Sequence, residues 1–204
     1  QLRVLDNILR HNLRNDLTVI RGLADRIRTE SSGETAATAD RIVSYTDDLM
    51  TTGEKSRSIT ELLGEEPDTR PIDIASLARS VAEGISAERP AALIDVDAPE
   101  HATADTTFKF REAIEELVKN AIDHSDRDAP SVEIRVRVTD DTVEVRVADD
   151  GPGIPAMDRD VLVTGQAIDD LYHGSGLGLW LVYWIVERSD GSIGVVDADP
   201  RGTE

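Results

Sequence analysis

The feature that most constrains this chain is a narrow apolar stripe at its start. Leu2, Leu5, Leu9, Leu13, Leu17, Ile20, Leu23 and Ile27 recur at mixed three- and four-residue spacing. At about 100° per residue they share one face of a helix running from Leu2 to about Arg28. A seam this narrow suits a helical bundle or coiled coil. On the same helix His11 falls about 180° from the stripe, and Asn15 and Thr18 share its face. The imidazole is therefore expected to point at solvent. An exposed imidazole keeps a large neutral fraction near pH 7, which makes it a competent nucleophile toward phosphorus without a buried relay. What it needs is a delivered phosphate.

The run SSGE supplies turn chemistry after this helix. A second helix follows, with Ala39, Ile42, Tyr45, Leu49, Ser56, Ile59 and Leu63 near a single seam and Gly53 in its middle. So short a connection predicts an antiparallel hairpin in which Gly53 to Arg57 lie level with His11. Two such helices leave too much apolar surface uncovered, and a homodimer closing a four-helix bundle is the natural solution. The stretch GEEPDTRP, residues 64–71, has two prolines and no periodicity and reads as a linker. This gives a helical hairpin over 1–66 and a second domain over 67–204.

Beyond the linker the pattern is mixed. Helices are predicted from about Ile74 to Ser86, Thr107 to Ser125 and Leu177 to Arg188, and short strands near Ala92 to Val96 and Ser192 to Val196. Val132, Ile134, Val136 and Val138 alternate with polar residues, as do Val143, Val145 and Val147 after a turn at Asp140 and Asp141. That is a hairpin with one buried face. The fold class is α+β, an antiparallel helical hairpin followed by an α/β sandwich.

Composition removes several function classes. A net charge of −19 leaves no basic face to replace phosphate counterions, so nucleic acid is not a partner. Phosphate must instead be met by backbone amides and a metal. Nineteen arginines against three lysines, with 41 acids spread along the chain, fit an acidic surface kept soluble at high salt, as in a halophile. There is no cysteine for a disulfide or a thiolate metal site. No apolar run approaches membrane-spanning length, so the fragment is expected to be cytoplasmic. Its first residues already lie in the stripe, and a sensor domain or membrane anchor is expected upstream.

Three separated pieces carry binding chemistry. In EELVKNAIDHS, Glu116, Asn120 and His124 follow at four-residue spacing along one helix flank. An Asn amide oxygen is a suitable neutral ligand for Mg²⁺. In DDGPGI, Asp149 can accept a hydrogen bond from an exocyclic amine such as adenine N6, while Gly151 and Gly153 let the backbone turn against a flat ring. In HGSGLGL, glycines 174, 176 and 178 lead into an apolar helix whose free N-terminal amides suit an anion. Each piece alone is weak; their order and context are specific.

Together they resemble the catalytic core of a sensor histidine kinase. RHNLRND resembles the phosphoacceptor box, EELVKNAIDHS the N box, DDGPGI the G1 box and HGSGLGL the G2 box, over residues 1 to about 197. The resemblance implies a dimerisation and phosphotransfer bundle followed by a Bergerat-type ATP-binding sandwich, with ATP and Mg²⁺ as cofactors. It implies His11 as phosphoacceptor, Asn120 as Mg²⁺ ligand and Asp149 on adenine. Gly151, Gly153 and Ile154 would border the nucleotide, with His124 nearby. Gly174, Ser175, Gly176, Leu177 and Gly178 would surround the triphosphate. A response-regulator receiver domain is the implied partner, docking near His11 beside Ser56 and Ser58.

The match departs in places. Asn12 and Asp16 stand where many members carry an acid and a proline, which leaves the base for His11 unassigned. Asn15 matches the polar position used to hold a hydrolytic water, consistent with phosphatase activity toward the regulator. The lid, Pro155 to Tyr172, lacks phenylalanine, and Arg159 is its only formal cation, so γ-phosphate charge falls to Mg²⁺, amides and His124 or Lys119. The end, GTE, is expected to be clipped or disordered. Two rival readings are a nucleotide-binding regulatory module with little turnover and an ATPase that activates water through Glu116.

Overall fold

The computed structural model describes the backbone of residues 2–64, 68–139, 141–165, 176–196 and 202–203, with side chains from Asn12 onward except at Met157. The described residues form two compact units, 1–58 and 59–204.

The first unit is an antiparallel pair of long helices, α1 (Leu2–Glu30) and α2 (Glu34–Gly64), the latter running on into the second unit. Gly33 turns the chain at φ +63°, in the left-handed region. Three ion pairs set the register: Arg14–Glu54 at 3.1 Å, Arg21–Asp47 at 2.6 Å and Arg28–Asp40 at 3.2 Å. Each seven-residue step along α1 is matched by an equal step back along α2, so the pairs mark one flank of a heptad seam. Extending that register three residues brings the backbone of His11 level with Arg57, as the helix lengths predict.

Within one chain the stripe is only partly covered. Among the described side chains of this unit, Leu17 and Ala24 of α1, and Ala39, Val43 and Thr46 of α2, are buried. Leu23 is 58% and Leu49 57% exposed, and Leu13, Ile20, Ile27, Ile42 and Tyr45 are also exposed. One hairpin covers only part of the stripe, because an antiparallel pair hides only the flank between its axes.

The second unit holds β1 (Thr69–Asp73), α3 (Ile74–Glu88), β2 (Leu93–Asp97), β3 (Thr103–Thr107), α4 (Phe110–Asp123), β4 (Ser131–Val138), β5 (Val143–Asp149), α5 (Ala156–Thr164) and α6 (Gly176–Glu187). The β4–β5 hairpin matches the alternating valines, pairing antiparallel from Val138 with Val143 to Val132 with Asp149. Parallel β2 flanks β4, with β3 and α4 in the connection between them. β1 and β3 form a separate antiparallel pair, Thr69 opposite Thr107. Neither was predicted: Thr69 to Pro71, assigned to the linker, are strand residues, and only 65–67 of that stretch lie outside the described residues. The predicted strand at Ser192 to Val196 is not one, although Ile193 and Val195 pack on the core. α5 falls in the stretch read as lid, whose residues 166–172 lie outside the described ones, as does Asp140 of the predicted turn.

Asp73 closes β1 and opens α3. Its Oδ1 accepts from the backbone N–H of Ala75 at 3.1 Å and Ser76 at 3.3 Å, satisfying amides that the helix cannot. His101 Nδ1 lies 2.8 Å from Oδ2, and the Ala102 N–H reaches Oδ1. The His101 contact, then these N–H bonds, hold the carboxyl well below the usual range.

Two apolar clusters hold the unit together. Val132, Ile134 and Val136 are fully buried against α3 (Ile74, Ala78, Val81, Ile85) and α4 (Ile114, Val118). On the other side of α4, Ala113 joins Val161 and Leu162 of α5 and Leu179, Val182 and Ile185 of α6. Ile59 and Leu62, from the last turns of α2, belong to this second cluster. Lys109, only 7% exposed, pairs with Glu61 at 3.3 Å beside them.

Candidate nucleotide site

Strand alternation places the first site residue. Val143, Val145 and Val147 face the core, and Asp149 is the next residue in that series, opposite buried Val132. A carboxylate thus ends an apolar face. Asp150 points the other way, its Oδ2 3.1 Å from Arg127 Nε and its Oδ1 accepting from the Ser131 N–H. Burial pushes the Asp149 carboxyl up, the N–H groups of Gly151 and Thr203 pull it down, and the charge of Asp150 adds to the rise.

The turn after Asp149 is built around that carboxylate. The Gly151 N–H donates to Oδ1 at 2.8 Å, and Gly153 has φ +87°, a conformation that other residues avoid. Thr203 closes the turn from the far end of the sequence. Its carbonyl accepts from the Asp149 N–H at 2.9 Å, and its Oγ1 accepts from the Ile154 N–H at 3.1 Å. Gly202 and Thr203 are therefore buried against the site, while residues 197–201 and 204 lie outside the described ones. The only local signal was the Gly-Thr pair itself; its partner lies about fifty residues back.

Helix α4 supplies the second wall. Ala113, Ile114 and Val118 are buried, leaving Asn120 on a half-buried flank and His124 exposed at the helix end, its N–H bonded to Asn120 O at 3.1 Å. Asn120, His124, Asp149, Gly153, Ile154 and Thr203 line one cavity of ≈1070 Å³, which runs on along β5 toward Val196. A volume of this order holds a nucleotide with room for solvent. Glu116 is half-buried on the same helix but does not line the cavity, nor do Gly151, Leu177 and Gly178. The half-buried Asn120 amide fits a magnesium ion carried in by phosphate oxygens.

α6 lines the cavity through Leu179, Val182 and Val186 rather than through its first turn. Gly176 is its first residue, with Leu177 half-buried and Gly178 buried in the first turn. Its backbone N–H groups open the helix and suit an anion. Gly174 and Ser175 lie outside the described residues, as does the side chain of His11; Asn15 is exposed on α1. Arg159 does not stand as a bare phosphate cation: its Nε donates to the Ile154 carbonyl at 2.8 Å, anchoring α5 to the turn.

Residues 106–204 match the family described as histidine kinase-, DNA gyrase B- and HSP90-like ATPases. Sensor protein ChvG of Agrobacterium fabrum is 27% identical over 209 residues, covering 90% of this chain and 34% of ChvG. Sensor protein PhoQ of Escherichia coli (strain K12) is 44% identical over 63 residues, 30% of this chain and 13% of PhoQ. The chain thus spans about a third or less of these relatives. Among solved structures, full-length ShkA in complex with AMPPNP has a TM-score of 0.69 at 23% identity, over 98% of this chain and 44% of that one, a likeness of fold. Among the described residues no helix is long and apolar enough to cross a membrane. A hairpin of long helices, followed by a sandwich whose residues 106–204 match the ATPase family, makes this chain similar in sequence and architecture to a sensor histidine kinase catalytic core.

Proposed function

We propose that the chain carries out ATP-dependent autophosphorylation of His11, followed by transfer to an aspartate of a response-regulator receiver domain. The observation that carries this reading is the cavity that joins Asn120, Asp149, Ile154 and Thr203. Half-buried Asp149 offers an acceptor for an amine edge, Asn120 an amide ligand for a phosphate-bound cation, and a glycine-opened helix follows at α6. Mg²⁺ held by Asn120 would neutralise charge on the transferring phosphoryl group. The Asp149 carboxylate would orient the adenine, and the α6 amides would meet phosphate oxygens.

In the chemical step an imidazole nitrogen of His11, Nε2 by family likeness, attacks the γ-phosphorus in line. The N–P bond forms as the bond to the bridging oxygen of ADP breaks, and the ring gives up its proton. Positioning carries most of the rate in such transfers. The 1–66 hairpin would act as dimerisation and phosphotransfer domain and 67–204 as the ATP-binding domain. The exposed Leu13, Ile20, Leu23 and Ile27 would meet a second copy, and Asn15 would hold water for regulator dephosphorylation. The full-length protein would carry a sensor upstream and this portion would act in the cytoplasm. An ATPase that activates water through Glu116 has less support, because Glu116 does not border the cavity.

Incubation with γ-labelled ATP and Mg²⁺ in high salt tests the reading. We expect an acid-labile label on the wild type and none on His11→Ala. Free phosphate with no labelled protein would support the ATPase instead, and nucleotide binding without either product a regulatory module.

A further inference from the structure

Helix α5 is tied down at both ends. At its start Arg159 Nε donates to the Ile154 carbonyl at 2.8 Å, on the turn that follows Asp149. At its end Gly165 caps the helix at φ +64°, its N–H bonding Val161 O at 3.0 Å. The carbonyl of Gly165 then accepts from Trp180 Nε1 at 2.9 Å. A Cβ at 165 would collide with the Tyr183 ring, so the cap is seated directly on α6. Trp180 stands four residues after Gly176, one turn into α6.

We propose that Trp180 is a positioning residue for the nucleotide's phosphates, its indole N–H fixing the end of α5 against the α6 amides. The inference rests on the nucleotide reading above. α5 is then a short strut with the Asp149–Ile154 turn at one end and the anion-binding helix start at the other. Val161 and Leu162 hold its side against Leu179 and Val182 without fixing where its end lies along α6, since apolar contact is not directional. The indole bond is directional and supplies that register. Trp184, one turn further on, packs edge-to-face on Trp180, and its Nε1 is buried without a hydrogen-bond partner. It is therefore an internal control of the same residue type.

The test is calorimetric titration of Mg-ATP and of adenosine, with Tm measured for each protein. Trp180→Phe keeps a ring and deletes the donor. It is expected to weaken Mg-ATP about five- to tenfold, the fold-change of one lost hydrogen bond, while leaving adenosine binding unchanged; Trp184→Phe should change neither. Unchanged Mg-ATP affinity in Trp180→Phe, or equal weakening of both ligands, would overturn the inference. In the wild type, slower exchange of the Trp180 indole proton with Mg-ATP but not with adenosine is the second expected result, and equal exchange with both counts against it. If the wild type binds neither ligand, the nucleotide reading fails first and this inference with it.

Discussion

The hairpin and the sandwich treat their apolar residues in opposite ways. In the sandwich Ile134 and Val136 are completely buried, and strand alternation sends nearly every valine of β4 and β5 inward. In the hairpin most of the described long aliphatic side chains of the stripe are exposed, Leu23 by 58%, while positions such as Leu17 and Ala39 are covered. One unit completes its core within a single chain. The other displays a patch of the kind that marks an interface. Ion pairs on the hairpin's flank, all between exposed side chains, settle register without adding much stability.

Substitutions can break or sharpen this contrast. The largest effect is expected from Ile134→Ala, which leaves a cavity in the sandwich and costs about 2–5 kcal/mol in denaturant unfolding. Leu23→Ala, an equally large truncation, should hardly change monomer stability yet should lower the mass seen by light scattering on dilution. If Leu23→Ala costs as much as Ile134→Ala and leaves the mass unchanged, the two units are not opposites.

Asp149→Asn comes next, with a loss of about ten- to a hundredfold in ATP affinity by titration, as for a hydrogen bond to a charged group. Its effect on stability runs the other way. Burial raises the folded-state carboxyl, so that group favours folding below its ordinary range and opposes it as pH rises through the raised value. At pH 7 the asparagine variant should therefore melt no lower than wild type. A clearly lower Tm would mean that the charge itself supports the fold.

Asp73 supplies the converse pH dependence. Its carboxyl is lowered, so its contribution is present above the ordinary carboxylate range and fades as pH falls toward the depressed value. Asp73→Ala should melt below wild type at pH 7, with the gap narrowing from about pH 4 downward. A gap independent of pH would assign the loss to the side chain's shape. The smallest effect belongs to Arg14→Ala, below about 1 kcal/mol and fading with added salt, followed by circular dichroism of the hairpin.

Much of the fold is readable from local periodicity. The α1 stripe, the valine alternation of β4 and β5, and the apolar helices α3, α4 and α6 each carry their signal within a few turns of chain. β1 and β3 do not. TRPID and TADTT are polar, one contains a proline, and they become strands only by pairing across thirty or more residues. SIGVV shows the reverse: its residues suit a strand, yet they join no ladder, and Ile193 and Val195 pack against the α6 cluster instead. The last turns of α2 serve a different core from its first, so no single seam runs along that helix.

The same division runs through the site. Asn120, Asp149 and the glycines leading into α6 stand in motifs short enough to see in the sequence, because the roles of each lie within one turn or one helix. That Asn120 and Asp149 face one cavity depended on how β5 registers on β4 and α4 packs behind them. Thr203 reaches Asp149 from the far end of the sequence, and Trp180 reaches Gly165 across a helix end. By itself the sequence determined the helical hairpin, the valine-faced strands and the three binding motifs, since periodicity and turn chemistry act between neighbours. Only the tertiary structure decided the β1–β3 pair, the buried Gly-Thr corner and the bracing of α5, because each is a contact between residues that no local pattern links.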